Sequence, residues 1–415
     1  MPTNTTDSKG VFQMEQIGQV DKFVGLDVGQ EEMEAVWLSK NGDESRGSIS
    51  ISNNHEGYEK LLSKLKEFKR QGMTPAVGTE GHDGYLSPLD EYLGDEDFDL
   101  VSLNPLRVKR YKDMLGQQKK TDNYDAYVIA DFLKSKEDQL ENLPRFKPRT
   151  QRLKRLSRTQ TDLKKQINRY TNKLIFVLDE YMPELVQLEA FPNLSSVTAL
   201  AILAECPTPA DLREVEGDEL TELIKDASNG QYGKNTAIAI QKSIKTVGRE
   251  PYAVDVYGLR TEILANLLLD LRESSKKIKA RIAELLEGWE DAQILLSLPG
   301  AGDLLVGRFL GEIVSIHRFK NADALALYCG VAPIPHSSGS WKSNRTTQRV
   351  NKEAKDALMQ IARCSKKHGE ESKEYYEKKR EEGKNHWHAI KCLARQLVRV
   401  IYAMLRDRTY YEPRN

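Results

Sequence analysis

Four carboxylates in this sequence are spaced so that they could act together. Asp27 ends an apolar run in GLDVG, Glu80 ends another in GTEGHDGY, and Asp122 and Asp125 lie three apart in KTDNYDAYVIADFL. A three-residue spacing puts the last two on one face of a helix. If that helix crosses a sheet whose strand ends carry Asp27 and Glu80, all four acids meet at one place, where they repel unless cations neutralise them. Oxygen-only ligands select Mg²⁺ or Mn²⁺, and two such ions about 3.5–4 Å apart stabilise both the attacking and the leaving oxygen of a phosphodiester. Taken singly, each acid is as well read as a helix cap or a surface charge; the combination carries the expectation.

A second constellation is YCGVAPIPHSSGSW, residues 328–341, which reads as a loop rich in Pro, Gly and Ser after an apolar helix. Its serines are turn formers or a nucleophile, and a nucleophilic serine needs a base or a metal to activate it. His336 is adjacent, but the sequence assigns it no role. Lys342, Arg345 and Arg349 follow. The last helix carries Lys391, Arg395 and Arg399 at i, i+4 and i+8, with Arg406 beyond, opposite Ile390, Leu393, Leu397, Ile401 and Leu405. That pattern is a docking helix with a phosphate-facing stripe or a solvated amphipathic helix.

Charge along the chain is uneven although it sums to zero. Residues 1–100 hold 9 Lys and Arg against 20 Asp and Glu, whereas residues 101–180 hold 19 against 10. From Arg145 to Lys173 eleven basic residues, among them Lys147, Arg149, Arg152, Lys154, Arg155 and Arg158, face one acid, Asp162. Such density attracts a phosphate backbone, where a merely solvated helix face would carry mixed signs.

The elements that must position these groups follow from periodicity. Residues 22–28, 33–39 and 46–52 read as three short strands, 55–70 as a helix, then strand 75–79, a helix near 85–93, strand 98–103, and helices from Pro105 and Asp122. That order suits a mixed sheet with helices on its faces. Leu153, Leu156, Leu163, Ile167, Tyr170, Leu174 and Val177 mark a long helix with a coiled-coil-like seam, and Ile263, Leu267, Leu271, Ile278, Ile282, Leu285 and Trp289 mark a second. Between them, about 192–252 reads as a small helical subdomain inserted at the tip of an antiparallel pair; pairing of the two helices between protomers is the alternative. LPGAG, residues 298–302, opens the last region with a helix-hairpin-helix-like turn, whose amides at Gly300 and Gly302 would meet a DNA phosphate. The expected division is a polar leader over 1–18, an α/β domain over 19–146, the helical pair over 147–292 and an α-rich C-terminal domain over 293–412. No run approaches the roughly 20 apolar residues of a membrane span, and residues 1–18 lack a signal-peptide layout, so the cytoplasm is expected and no membrane partner. Cys206, Cys329, Cys364 and Cys392 form no CxxC pair, which argues against a zinc knuckle or a disulfide framework.

In their order, GLDVG, then ExxxGY, NP with KTDxxDA, LPGxG, YxGxxPxxxxSG and a terminal ARQLVRVIYAML helix, these motifs resemble the Piv-invertase-like DEDD transposases of insertion sequences, a family of bridge-RNA-guided recombinases. The resemblance implies an RNase H-like (RuvC-like) first domain with Asp27, Glu80, Asp122 and Asp125 as metal ligands. It implies Ser338 as the nucleophile that becomes joined to cut DNA, with Ser337 the alternative in register and Ser340 beyond. DNA ends and target, a structured guide RNA, and a homo-oligomer from dimer to tetrameric synapse are the implied partners. The family usually has Ser and Lys after the first Asp-Val, where this chain has Gly29 and Gln30, and EGHDGY adds Asp83 near the acids. Competing readings are a RuvC-like junction nuclease using water and metals alone, and a catalytically silent nucleic-acid-binding scaffold.

Overall fold

Alternation of apolar side chains builds a five-stranded sheet from β1 (Lys22–Val28), β2 (Glu32–Ser39), β3 (Gly42–Ser52), β4 (Pro75–Glu80) and β5 (Leu100–Leu103). A computed structural model describes residues 20–40, 42–81, 86–116, 121–142, 148–187, 193–245, 252–338, 341–345 and 350–413, with backbone alone at 42–45, 87, 139, 141–142, 334–338 and 341–345. The strand order is β3-β2-β1-β4-β5. β2 pairs antiparallel with β1 and β3, whereas β4 runs parallel to β1 and to β5. Parallel neighbours need crossovers, supplied by helices α1 (His55–Arg70) and α2 (Ser87–Gly94). Asn54 caps α1 by accepting from the Gly57 amide at 3.1 Å, and Tyr58, Leu61, Leu62, Leu65 and Phe68 bury its inner face.

Side chains alternate across a strand, and β1 divides accordingly. Val24 and Leu26 join the core with α1 and α2, while Phe23 joins the opposite core, formed with α3 (Pro105–Met114) and α4 (Asp122–Lys134). Gly25 shares that second face and has no side chain because α4 leaves no room for one: a Cβ there would lie 2.2 Å from the Ala126 carbonyl oxygen and 2.3 Å from the Ala130 nitrogen. On β4, Gly78 occupies the same rung as Gly25, and its Cβ position lies 3.0 Å from Leu133. Helix α4 therefore crosses β1 and β4 in near backbone contact.

The chain divides into two compact units, residues 1–151, 312–355 and 394–408 in one and 152–311, 356–393 and 409–415 in the other. The second unit rests on α5 (Pro148–Tyr181) and α11 (Val254–Leu286). These run antiparallel: Gln160 Nε2 donates to Ser275 Oγ at 2.6 Å, and Tyr181 Oη to Thr261 Oγ1 at 2.8 Å. Between them α6 (Pro183–Val186), α7 (Val197–Glu205), α8 (Pro209–Glu214), α9 (Gly217–Ser228) and α10 (Lys234–Lys245) enclose a core with Leu174, Val177, Leu178, Tyr181, Ala265 and Leu268. The seams differ from the expected ones distally, where Ile263 of α11 is exposed and Thr261, Ala265 and Leu268 are buried, and also in the proximal half. Ser157 and Gln160 are buried there, whereas Leu156 and Leu163 are half-buried, because the helices meet through the polar Gln160–Ser275 pair. Short α12 (Glu290–Leu296) and then α13 (Asp303–Ile313) flank the LPGAG turn.

The C-terminal stretch contains α14 (Ala322–Tyr328), a hairpin of β6 (Ile334–Ser338) and β7 (Trp341–Arg345), α15 (Lys352–His368), α16 (Glu370–Glu381) and α17 (His386–Asp407). The serine-bearing segment, expected as a loop, is thus strand-paired. Ser338 opposes Trp341, the last of five paired positions. The apolar face expected of α17 is buried at Ile390, Leu393, Leu397, Ile401 and Leu405. Among the described residues no helix is long and apolar enough to cross a membrane. All four cysteines are free, and burial pushes the Cys206 thiol up to about 11 and Cys329 to about 12.

The contact at Gly25 is testable. Gly25→Ala should destabilise the protein by about 1–3 kcal/mol, since the neighbouring atoms are backbone and cannot rotate aside. Gly94→Ala, whose Cβ would meet nothing within 4 Å, should change stability by less than about 1 kcal/mol. Denaturant midpoints for the two variants decide this, and equal values would remove the packing argument.

Candidate active site

Asp27 lies two residues beyond Gly25, and Glu80 two beyond Gly78, so strand alternation turns both toward the side on which α4 lies. Register ends at Leu26 opposite Thr79, which puts Asp27 and Glu80 one step past the last paired rung. Thr121 caps α4 by accepting from the Tyr124 amide at 3.3 Å, so Asp122 and Asp125 occupy the first helical turn. Acids are favoured there, against the positive end of the helix dipole.

The Asp27 carboxyl is pushed up to about 6, first by burial and then by the charges of Asp125, Asp122 and Glu34, with Lys112 opposing. Asp27, Asp122 and Asp125 are therefore brought together. Glu80, exposed at the end of β4, is near them by register, but Asp125, Asp122 and Glu34 are the carboxylates whose charge raises Asp27.

Two groups that the sequence does not single out complete this pole. Glu34 opposes Asp27 on β2 and accepts from Asn123 Nδ2 at 3.4 Å, while Arg46 donates to Asn123 Oδ1 at 3.4 Å and covers the Tyr127 ring. Lys112, on α3, forms an ion pair with Asp125. Antiparallel register after a tight turn could have found Glu34; nothing local marks Lys112.

The donor set suits a hard divalent cation, because it consists of carboxylate oxygens whose mutual repulsion such an ion would relieve. Among the described residues no three Asp, Glu, His or Cys side chains are arranged to hold a metal as they stand. Asp125 is instead engaged by Lys112.

Ser338 sits at the inner end of β6. Asn351, which follows the hairpin in sequence, is firmly held. The Asn351 amide donates to the Tyr328 carbonyl at 3.0 Å, and its Nδ2 to Glu312 Oε2 at 2.7 Å and to Tyr328 Oη at 2.8 Å. Its Oδ1 accepts from the Ala354 amide at 2.9 Å, capping α15. Asn before the apolar spacing of 354–362 is a readable capping signal.

On α5, Arg149, Arg152, Arg155 and Arg158 are exposed and Lys154 is half-buried. The Gln160–Ser275 bond sets the exposed Lys276, Lys277 and Lys279 of α11 beside this basic stretch. In the sequence, α11 is marked by its apolar seam alone. In the LPGAG turn, Gly300 has φ +82° and its Cβ position lies 2.5 Å from the Cys364 and Ser365 backbone, so α15 occupies its open side. Gly302 is exposed, with no atom within 4 Å of its Cβ position. Arg145, Lys147, Arg349, Asp83 and Ser340 lie outside the described residues, as do the side chains of His336, Ser337, Ser338, Lys342 and Arg345.

Comparison with known proteins gives two family matches. Residues 24–183 match the DEDD transposase family of IS110 elements, and residues 292–377 match the family described as "Transposase IS116/IS110/IS902 family". The first span contains Asp27, Glu80, Asp122 and Asp125; the second contains the LPGAG turn and Ser338. The insertion element IS116 44.8 kDa protein of Streptomyces clavuligerus is 28% identical over 395 residues, 94% of this chain and 96% of its own. The insertion element IS900 42 kDa protein of Mycobacterium paratuberculosis is 30% identical over 303 residues, 71% of this chain and 73% of its own. The insertion element IS110 43.6 kDa protein of Streptomyces coelicolor is 29% identical over 313 residues, 74% and 76% of the two chains.

Burial and repulsion together give Asp27 a pH signature. The folded chain holds the Asp27 proton more tightly than the unfolded chain does, so protonation favours folding; this contribution is complete below about pH 4 and is lost as pH rises through about 6. Metal-free wild type should lose stability across that window and Asp27→Asn should not, so that at pH 7.5 the variant melts roughly 2–4 °C higher. Melting curves that remain parallel from pH 4 to 8 would show that the clustered charges are not felt.

Proposed function

Because the chain belongs to the IS116/IS110/IS902 family of insertion-sequence transposases, enzymes that act on DNA, we propose that it cuts and rejoins DNA strands at its acidic pole through Ser338. The observation that carries this reading is the placement of Asp27, Asp122 and Asp125 together at one end of the mixed sheet, which we read as RNase H-like, where burial first and the neighbouring carboxylates second push the Asp27 carboxyl up to about 6.

In this reading Asp27, Glu80, Asp122 and Asp125 hold Mg²⁺ or Mn²⁺. A divalent ion bound there supplies neutralising charge to the phosphodiester oxygens as negative charge builds on them. Ser338 Oγ attacks the phosphorus and loses its proton to a base; an Oγ–P bond forms, the bond to one deoxyribose oxygen breaks, and that oxygen leaves as a hydroxyl. Attack by a hydroxyl of the second DNA partner reverses these changes, freeing the serine and joining the new strands.

Arg149, Arg152, Lys154, Arg155 and Arg158, with Lys276, Lys277 and Lys279, offer a phosphate-binding surface for DNA or for the guide RNA that the family resemblance implies. Gly302, Lys342, Arg345 and Arg349 are further candidates toward DNA. A homo-oligomer is supported by apolar groups left exposed on the long helices, Phe176, Leu259 and Ile263.

The test incubates protein with Mg²⁺, RNA transcribed from its flanking locus and labelled element ends, and looks on a denaturing gel for a covalent protein–DNA adduct. Wild type and Ser337→Ala should form it; Ser338→Ala and Asp27→Asn should not. Cleavage that continues in Ser338→Ala without an adduct would replace this mechanism by a metal-and-water nuclease.

Binding gives an independent measure. Neutralising Arg152, Lys154 and Arg155 together should weaken duplex binding and flatten its log–log salt dependence by about 0.9 for each phosphate no longer neutralised. An unchanged slope would remove α5 from the binding surface.

A further inference from the structure

Lys112 belongs to none of the acidic motifs, yet it reaches into the cluster they form. Its ammonium contacts Asp125 Oδ1, lies 5.6 Å from the centre of the Tyr124 ring, and is the positive charge set against those of Asp125, Asp122 and Glu34 at Asp27. The pair is sheltered, with side-chain exposures of 28% and 29%. Coulomb forces are less screened there than on an open surface.

A cation fixed among carboxylates does part of what a divalent ion would do, since it offsets repulsion that burial strengthens. It also stands in the way. Asp125 Oδ1 has lone pairs for both an ammonium and a divalent ion, but two cations sharing that oxygen would repel each other across a few ångströms. Lys112 has somewhere else to go, because the face of the Tyr124 ring already lies under its ammonium and offers a cation–π seat.

Resting on the metal-dependent reading above, we propose that Lys112 is a resident counter-cation of the acidic site, whose charge competes with a divalent ion for Asp125 and so sets how tightly the metal is held. Lys112 is on this view a positioning residue. It keeps the carboxylates together while no metal is present and competes for one of them on metal entry.

The test uses the full-length chain, stripped of metal by chelation, with MnCl₂ alone as probe and free Mn²⁺ read by electron paramagnetic resonance. Lys112→Met should bind Mn²⁺ roughly tenfold or more tightly than wild type, whereas Lys112→Arg, which keeps the charge, should stay within about threefold of it. Metal-free Lys112→Met should melt below wild type, and saturating Mn²⁺ should close that gap. If Lys112→Met does not fold, Lys112→Gln provides the same removal of charge. A wild type that binds Mn²⁺ while the neutral variant binds no more tightly overturns this inference alone. Absence of binding in every protein overturns the metal reading and this inference with it.

Discussion

Helix α4 can lie on strand β1 because Gly25 offers no side chain to hold it off. Ala126 and Ala130 meet that glycine with their own backbone, and the neighbouring helix positions Ile129 and Leu133 are fully buried. Each of those two apolar side chains contributes roughly 1.5–3 kcal/mol. The contact fixes where the first turn of α4 must fall, two residues further along β1, beside Asp27. The acids are thus assembled by apolar packing around them and against their own repulsion.

Within that frame the individual acids are not equivalent. Asp122 and Asp125 lie in the first turn of a capped helix, where the backbone dipole favours negative charge. Asp27 stands at a strand end without that support. Burial is the largest influence on it and its neighbours add to the strain, so the cost of clustering falls on the strand acid. Lys112, together with the Arg46–Asn123–Glu34 chain, shows how the fold moderates this cost: positive and neutral donors are distributed around the rim.

Much of this is legible in the sequence, and the remainder is hidden for identifiable reasons. Period-two alternation marks the strands, and strand-end placement marks Asp27 and Glu80, because those patterns are local. The DxxD helix is equally local. Lys112 escapes because its partnership with Asp125 spans thirteen residues and depends on how α3 packs on α4. Glu34 requires the β1–β2 register. The serine segment looks like a loop because Pro, Gly and Ser dominate its composition, yet five paired positions make it a hairpin. At Gly300 the backbone of α15 lies against the position a Cβ would take, a close approach that the sequence of a PGxG turn does not reveal.

The long helices show a related separation of tasks. At the distal end, Leu174, Val177, Leu178 and Tyr181 of α5 join Ala265 and Leu268 of α11 and the inserted helices in one apolar core. Proximally the seam turns polar, with Ser157 Oγ and Gln160 Oε1 buried without a hydrogen-bond partner among the described residues. An unpartnered buried oxygen costs free energy that an apolar residue would avoid, so the proximal half contributes less to holding the pair together than the distal half does. The proximal half is also where the basic residues of α5 and α11 accumulate. Like charges in a row weaken a helix pair, and they can be tolerated because the distal core anchors both helices. A strip of positive charge can then be presented on a rigid support, which is what a phosphate backbone requires of the surface that binds it.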